Sequence, residues 1–220
     1  MKTVLITGAS GGLGTFVTAE FRRAGWKVLT VQSPRSGSAD ASAYAADLTR
    51  ETDVVKLIDR LRIDGHRPDA LMLLTGGFEA GALDGSTGSS VQRMLDLNFF
   101  TAYHLIHGLV RNTFPGTEPL QIVCIGARVA GNAKIAKDLL AYSISKSVLA
   151  SLVEYLQSED RRLNIRATML LPGTIDTPAN RSFQPDADRS GWSKPGEMAV
   201  LMRRLAEGDD GVDWKAFLEC

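Results

Sequence analysis

The sequence predicts an α/β domain built on a doubly wound, mostly parallel sheet of six or seven strands with helices on both faces. Three observations predict it. Short apolar runs rich in β-branched residues alternate with longer helical stretches along the 220 residues. A glycine-rich turn joins the first apolar run directly to the first helical stretch. No shift of composition marks a second unit, so residues 1–220 read as one domain.

The elements follow in order. "TVLIT" (3–7) is a buried strand, and residues 13–24 continue as a helix that Gly25 suits as a C-cap. "KVLTV" (27–31) is the second strand and "AYAAD" (43–47) a weaker third. A helix over 51–61 leads to "ALMLL" (70–74), and a long helix over 91–112 is broken by Pro115 and Gly116. "LQIVCI" (120–125), a helix over 140–160, "IRATMLL" (165–171) and a helix over 195–207 complete the alternation. Beyond Gly208, residues 212–218 read either as an irregular edge strand or as no strand at all. Ligands of such a sheet bind at the carboxyl ends of its strands.

Composition narrows the function. Lys plus Arg and Asp plus Glu both total 25, so neither nucleic acid nor an anionic membrane is indicated as a partner. Two cysteines, one inside an apolar run and one at position 220, give neither a disulfide framework nor zinc spacing. With no signal-like or membrane-spanning segment, the expectation is a cytoplasmic protein. His104 and His107 lie three apart on one helix but have no acidic or cysteine partner at metal-ligand spacing, so no metal is expected. The arginine pairs 22–23, 161–162 and 203–204 read as solvated faces.

Two motifs carry chemistry. In "TGASGGLG" (7–14), Gly8, Gly12 and Gly14 lie between a strand and a helix N-terminus, where free N–H groups and the helix dipole suit a pyrophosphate. Gly8 permits the tight turn, Gly12 lets the backbone approach the ligand, and Gly14 allows close helix–strand packing. In "LLAYSISK" (139–146), Tyr142 and Lys146 lie one helical turn apart. A phenol with an unperturbed pKa near ~10 is a proton donor at neutral pH, and a neighbouring ammonium would lower that pKa.

Together, in this order, the glycine turn and the Tyr-x-x-x-Lys pair resemble the short-chain dehydrogenase/reductase family, whose fold is the Rossmann type. Asp47 in "AADL", "TGG" (75–77), Asn98 in "LDLNFF" and "PGTIDT" (172–177) are similar to further family segments, and the resemblance covers about residues 3–178. It implies an NAD(P)H-dependent reductase. Tyr142 would donate the proton, Lys146 would hold the cofactor ribose and tune the phenol, and Asn98 would order a water through which the proton is replaced. It also implies cofactor contacts at Thr7, Gly8, Ser10, Gly12, Leu13, Gly14, Asp47, Leu48, Thr75, Gly76, Gly77, Tyr142, Lys146, Pro172, Gly173, Thr174 and Thr177. Members usually pair as dimers or tetramers through the fourth and fifth helices, so a homodimer or homotetramer is expected.

The family usually carries a serine just past the fifth strand, and "GARVAG" (126–131) has none. Losing such a donor costs a carbonyl reductase ~2.7–4 kcal/mol of transition-state stabilisation. The quinonoid dihydropteridine reductase subgroup also lacks it, because its acceptor is a conjugated imine system. "GAR" (126–128), "TGGF" (75–78) and "LPGTIDTPANRSFQPDADRSGW" (171–192) resemble that subgroup. The expected substrate is therefore a small imine-like or activated acceptor. The alternatives are a general carbonyl or alcohol oxidoreductase and a nucleotide-binding regulatory protein without catalysis. Arg128 either faces the substrate or is a solvated arginine. Residues 177–194 read as a substrate loop, in which Trp192 and Phe183 either close over a flat ring or pin the loop to the core. At the end of the second strand, Gln32 stands where NAD-preferring members carry an acid. With Arg35 nearby to pair a 2′-phosphate, NADP is favoured over NAD.

Overall fold

A computed structural model of the chain describes residues 1–34, 43–111, 118–130, 132, 134, 136–209, 211–213 and 217–220. Arg35, expected near the cofactor, lies outside the described residues, as do Asn112, Pro115, Gly116 and Gly131.

The strands are β1 (Thr3–Thr7), β2 (Lys27–Gln32), β3 (Tyr44–Ala45), β4 (Ala70–Leu73), β5 (Leu120–Ile125), β6 (Ile165–Leu171) and β7 (Phe217–Glu219). They form one parallel sheet in the order β3-β2-β1-β4-β5-β6-β7. The helices are α1 (Gly14–Arg23), α2 (Glu51–Ile63), α3 (Gly88–Leu95), α4 (Thr101–Arg111), α5 (Leu140–Ser158), α6 (Asp160–Leu163), α7 (Pro178–Phe183) and α8 (Pro195–Glu207). The strand order runs outward in opposite directions from the β1–β4 pair, which opens a crevice above their carboxyl ends.

Alternation along the strands feeds two cores. Leu5, Leu71 and Ile122 point to the layer of α2, α4 and α5. Val4, Ile6, Met72 and Val123 point to the layer of α1 and α8, where Phe21 meets Trp26 edge-on at 5.1 Å. Both faces of β1 and β4 are buried, which is why those strands read as unbroken apolar runs. Gly25 closes α1 with a φ of 78°, as its place after the helix predicts.

Several expectations change. The weak third strand shortens to Tyr44–Ala45, which pair with Val31 and Gln32 of β2. The long helix expected over 91–112 begins earlier, where Thr87 caps α3 by accepting a bond from the Ser90 amide. It is then interrupted by a π-helical turn, Asp96–Phe100, before α4. The helix expected over 140–160 stops at Ser158, and a short α6 ends at Asn164 in the left-handed region (φ 51°). The supposed loop 177–194 contains α7, capped by Thr177. The open choice at the tail resolves to a seventh strand, parallel to β6.

Close packing at the glycine turn gives a test. A Cβ on Gly14 would lie 2.1 Å from the Gly8 carbonyl oxygen. Intrinsic helix propensity favours alanine over glycine by ~1 kcal/mol, whereas overpacking costs ~1–3 kcal/mol or more. Gly14→Ala should therefore lower the urea midpoint of unfolding.

Candidate active site

The crevice above β1 and β4 gathers most of the residues singled out in the sequence. Gly8 turns the chain out of β1 with a φ of 66°, and a Cβ there would sit 3.0 Å from the backbone of Leu74 and Thr75. Thr7 lies beneath this turn, fully buried. Its Oγ1 accepts bonds from the amides of Leu74 (3.1 Å) and Thr75 (3.2 Å), fastening the ends of β1 and β4 together. Leu13 precedes α1 and is buried, while Ser10 is exposed. The start of α1 has no side-chain cap and no acid in its first turn, so its positive end is left for an anion.

A cavity of about 230 Å³ runs from this turn, lined by Gly8, Ser10, Gln32, Asp47, Leu48 and Thr75 among others. Asp47 Oδ1 accepts bonds from the amide (3.1 Å) and hydroxyl (2.6 Å) of Thr49, shaping the rim. The far wall is the segment after β6. A Cβ on Gly12 would meet the Thr177 methyl at 2.6 Å, so this segment rests on the glycine turn. Pro172 is buried, the Gly173 amide donates to Ser193 Oγ (3.2 Å), and the Thr174 carbonyl accepts from the Ser193 amide (2.9 Å). The segment 177–194 is thus held at both ends, by Thr177 and by Ser193.

On the other side of the crevice, α5 presents Tyr142 and Lys146. Lys146 Nζ lies 5.8 Å from the centre of the Tyr142 ring and donates to the Ile125 carbonyl at 2.8 Å. Asn98, almost fully buried, sits in the π-helical turn. Its Oδ1 accepts from the Gly77 amide (3.0 Å), and its Nδ2 donates to the Gly77 carbonyl (3.0 Å) and to Ser145 Oγ (3.0 Å). Ser145, also fully buried, donates in turn to the Tyr142 carbonyl at 2.7 Å. Both N–H groups of the Asn98 amide are therefore engaged within the chain, which leaves only its Oδ1 with a lone pair for the expected water. Glycine at 76 has a reason as well, since a Cβ there would lie 2.7 Å from Asn98 Oδ1.

The electrostatics correct one expectation. Burial pushes the Tyr142 phenol up to about 12 and pulls the Lys146 ammonium down to about 8. Within the chain's own groups, desolvation outweighs any lowering of the phenol by Lys146, whose amine is itself buried and turned to a carbonyl.

Three further residues take their places around this site. Trp192 stays in the loop, half-buried under Arg189 (5.8 Å). Arg128 is exposed, with its guanidinium lying over Gly173 and reaching the Cys220 backbone oxygen at 3.5 Å. The ring beside Tyr142 is Phe78, edge-on to it at 5.1 Å and to Phe183 at 5.9 Å. Phe78 and Phe183 are 53% and 65% exposed, an apolar wall open to the crevice. The "TGGF" turn contained the signal for Phe78. Ser145 carries no motif signal in the sequence, and only the fold reveals its bond to Asn98. In the segment after β5 that lacks a serine, Ala127 is buried.

Comparison with known proteins agrees with this geometry. The sequence profile of the short chain dehydrogenase family matches residues 2–188. A dihydropteridine reductase of Dictyostelium discoideum is 28% identical over 212 residues, covering 95% of this chain and 89% of that protein. The rhamnolipids biosynthesis 3-oxoacyl-[acyl-carrier-protein] reductase of Pseudomonas aeruginosa is 27% identical, covering 93% and 89% respectively. Among solved structures, a blue fluorescent protein from a metagenomic library in complex with NADPH superposes with a TM-score of 0.83 at 23% identity, over 99% of this chain and 95% of that one. That likeness speaks for the fold. Among the described residues, no helix is long and apolar enough to cross a membrane and no group of side chains could hold a metal ion.

Lys146 supplies a stability test. Its folded pKa, about 8, is below the ordinary lysine value of 10.5, so between these values the unfolded chain binds a proton that the folded chain does not. Native stability from this group is then lowest below pH ~8 and rises through the window. Lys146→Met should be more stable than the native chain below pH ~8, by up to about 3 kcal/mol, with the gap closing towards pH ~10 in urea titrations.

Proposed function

Since the chain belongs to the short-chain dehydrogenase family of NAD(P)-dependent oxidoreductases, we propose that it is an NADPH-dependent reductase of a flat, conjugated imine-like acceptor such as a quinonoid dihydropterin. The observation that carries this reading is the Tyr142 phenol. Burial keeps it protonated, it stands beside Lys146, and the apolar edges of Phe78 and Phe183 flank it. An aromatic wall suits a planar ring by edge and face contacts. A segment after β5 that lacks a serine suits an acceptor that needs no second hydroxyl donor.

The groups of the crevice fit a dinucleotide. The uncapped N-terminus of α1 suits the pyrophosphate, and the rim at Asp47 and Leu48 suits the adenine edge. The segment 172–177 closes the nicotinamide side. A reduced nicotinamide held there would supply hydride for the acceptor. Tyr142 Oη gives its proton to the acceptor nitrogen or oxygen, and Lys146 stabilises the phenolate that this leaves. Asn98 holds α5 and the Gly76–Gly77 turn at fixed separation, which makes it a positioning residue. No carboxylate stands at Gln32 to repel a 2′-phosphate, and Arg22 lines the adjoining groove with Ser10 and Gln32, so NADP is preferred. Arg128, lying over Gly173 and reaching the Cys220 backbone oxygen, braces the crevice wall.

A second reading, a general carbonyl reductase, is favoured by the likeness to the 3-oxoacyl-[acyl-carrier-protein] reductase. In either case a homodimer or homotetramer is the expected form.

The reading is tested by loss of reduced-nicotinamide absorbance with chemically generated quinonoid dihydropterin, NADPH and NADH being run in parallel. Turnover should be faster with NADPH and fall at least ~100-fold in Tyr142→Phe. NADPH binding without turnover on the pterin, but with turnover on 3-oxoacyl thioesters, would replace it by the second reading. Gln32→Asp should raise the KM for NADPH at least ~10-fold and spare NADH, because a carboxylate repels the 2′-phosphate and accepts from a free ribose hydroxyl.

A further inference from the structure

His104 and His107, set aside as metal ligands, have another place in the fold. Two columns of rings climb the side of the π-helical turn and α4, each stepping four residues. Phe100 stacks on His104 with centroids 5.4 Å apart and planes 29° apart. Phe99 stacks on Tyr103 (5.5 Å, 20°), and Tyr103 on His107 (5.4 Å, 5°). The first column ends in a hydrogen bond, with His104 Nδ1 lying 3.1 Å from the Leu48 carbonyl oxygen. A carbonyl only accepts, so Nδ1 carries the proton. His107 Nδ1 lies 3.9 Å from Glu51, the first residue of α2.

Leu48 needs such an anchor. The sheet ladder on this side ends at Ala45, and the last main-chain bond back to β2 runs from the Ala46 amide to the Gln32 carbonyl. Asp47 and Leu48 then leave the sheet to form the rim of the crevice. The turn that follows is closed on itself, the Arg50 amide donating to the Asp47 carbonyl and Thr49 to Asp47 Oδ1. No side chain caps α2. The Leu48 side chain is buried in the core between α2 and α4, and from the α4 side His104 adds a polar tie to its carbonyl. Leu97 and Thr101, on that same side, line the cavity with Asp47 and Leu48.

We propose that His104 is a positioning residue for the adenine half of the cofactor: seated by Phe100, its imidazole holds the Leu48 carbonyl and so sets the height of the Asp47–Leu48 rim. This rests on the reading of the crevice as a dinucleotide site. It adds a residue from a helix that the glycine and Tyr-Lys motifs do not touch.

The test measures binding alone and needs no substrate. Dissociation constants for NADPH and ADP-ribose are compared in the native chain, His104→Phe and His104→Asn. Phenylalanine keeps a ring for the stack and loses the donor, while asparagine places an amide N–H near the position of Nδ1. His104→Phe should weaken both ligands alike, by ~5–10-fold, and His104→Asn should recover most of the loss. Phe100→Leu, which removes the seat of the imidazole, should give a smaller loss in the same direction. Native-like binding by His104→Phe would overturn the inference while leaving the dinucleotide site intact. Equal loss in the Phe and Asn variants would overturn it as well, by showing that the site reads packing and not the hydrogen bond. Failure of the native chain to bind either NADPH or ADP-ribose would overturn both the inference and the reading beneath it.

Discussion

Everything at the crevice hangs on the amide of Asn98. Three hydrogen bonds from one buried side chain join the turn after β4, the π-helical turn before α4 and, through Ser145, the first turn of α5. Each of these pieces comes from a different part of the chain, and each carries one component of the site. A buried amide left without partners costs about 1–3 kcal/mol, so the three pieces are stable only when assembled together. The π-helical turn accompanies this arrangement and places Asn98 inside the fold at the point of contact. The glycines at 76 and 77 yield the space that the amide and Leu97 occupy.

The same burial sets the chemistry. A phenol and an ammonium, both drawn out of water, are each driven towards the neutral form. On the proposed reading this is the form in which Tyr142 donates, and charge arriving with the cofactor would meet the cost of ionising it. Lys146 is the opposite case, an amine whose proton is loosely held and whose nitrogen reaches the carbonyl at the end of β5. The pair is therefore poised by its surroundings, and the fold alone does not complete it. The exposed rings of Phe78 and Phe183 continue from Tyr142 as an apolar surface on which, in the proposed function, a planar acceptor would lie.

Much of this was legible in the residues. Parallel strands buried on both faces write themselves as unbroken apolar runs, and a glycine turn between the first of them and a helix marks the ligand end of the sheet. Tyr142 and Lys146 show through their spacing on one helix. Other features escaped, because they depend on contacts between distant segments. The π-helical turn has no local signature in "LDLNFF". Ser145 becomes meaningful only when Asn98 is brought to 3.0 Å from it. Trp192 looked as eligible as Phe183 on composition, and only the path of the chain past α7 decides that Phe78 takes the place beside Tyr142. His104 read as an unpartnered imidazole because its partner is a main-chain carbonyl, which no side-chain pattern records. The seventh strand was ambiguous because three residues on a sheet edge carry too short a pattern.

The central claim is that burial holds Tyr142 as a phenol until the oxidised cofactor's charge arrives. The direct measurement is the ionisation of a ¹³C-labelled Tyr142 ring, assigned by its absence in Tyr142→Phe and followed upward from neutral pH with and without NADP⁺. The account predicts no ionisation of this ring below pH ~10 in the chain alone and a midpoint below ~10 once NADP⁺ is bound. A phenol that ionises near its ordinary value in both states, or that stays protonated above ~10 in both, would contradict it.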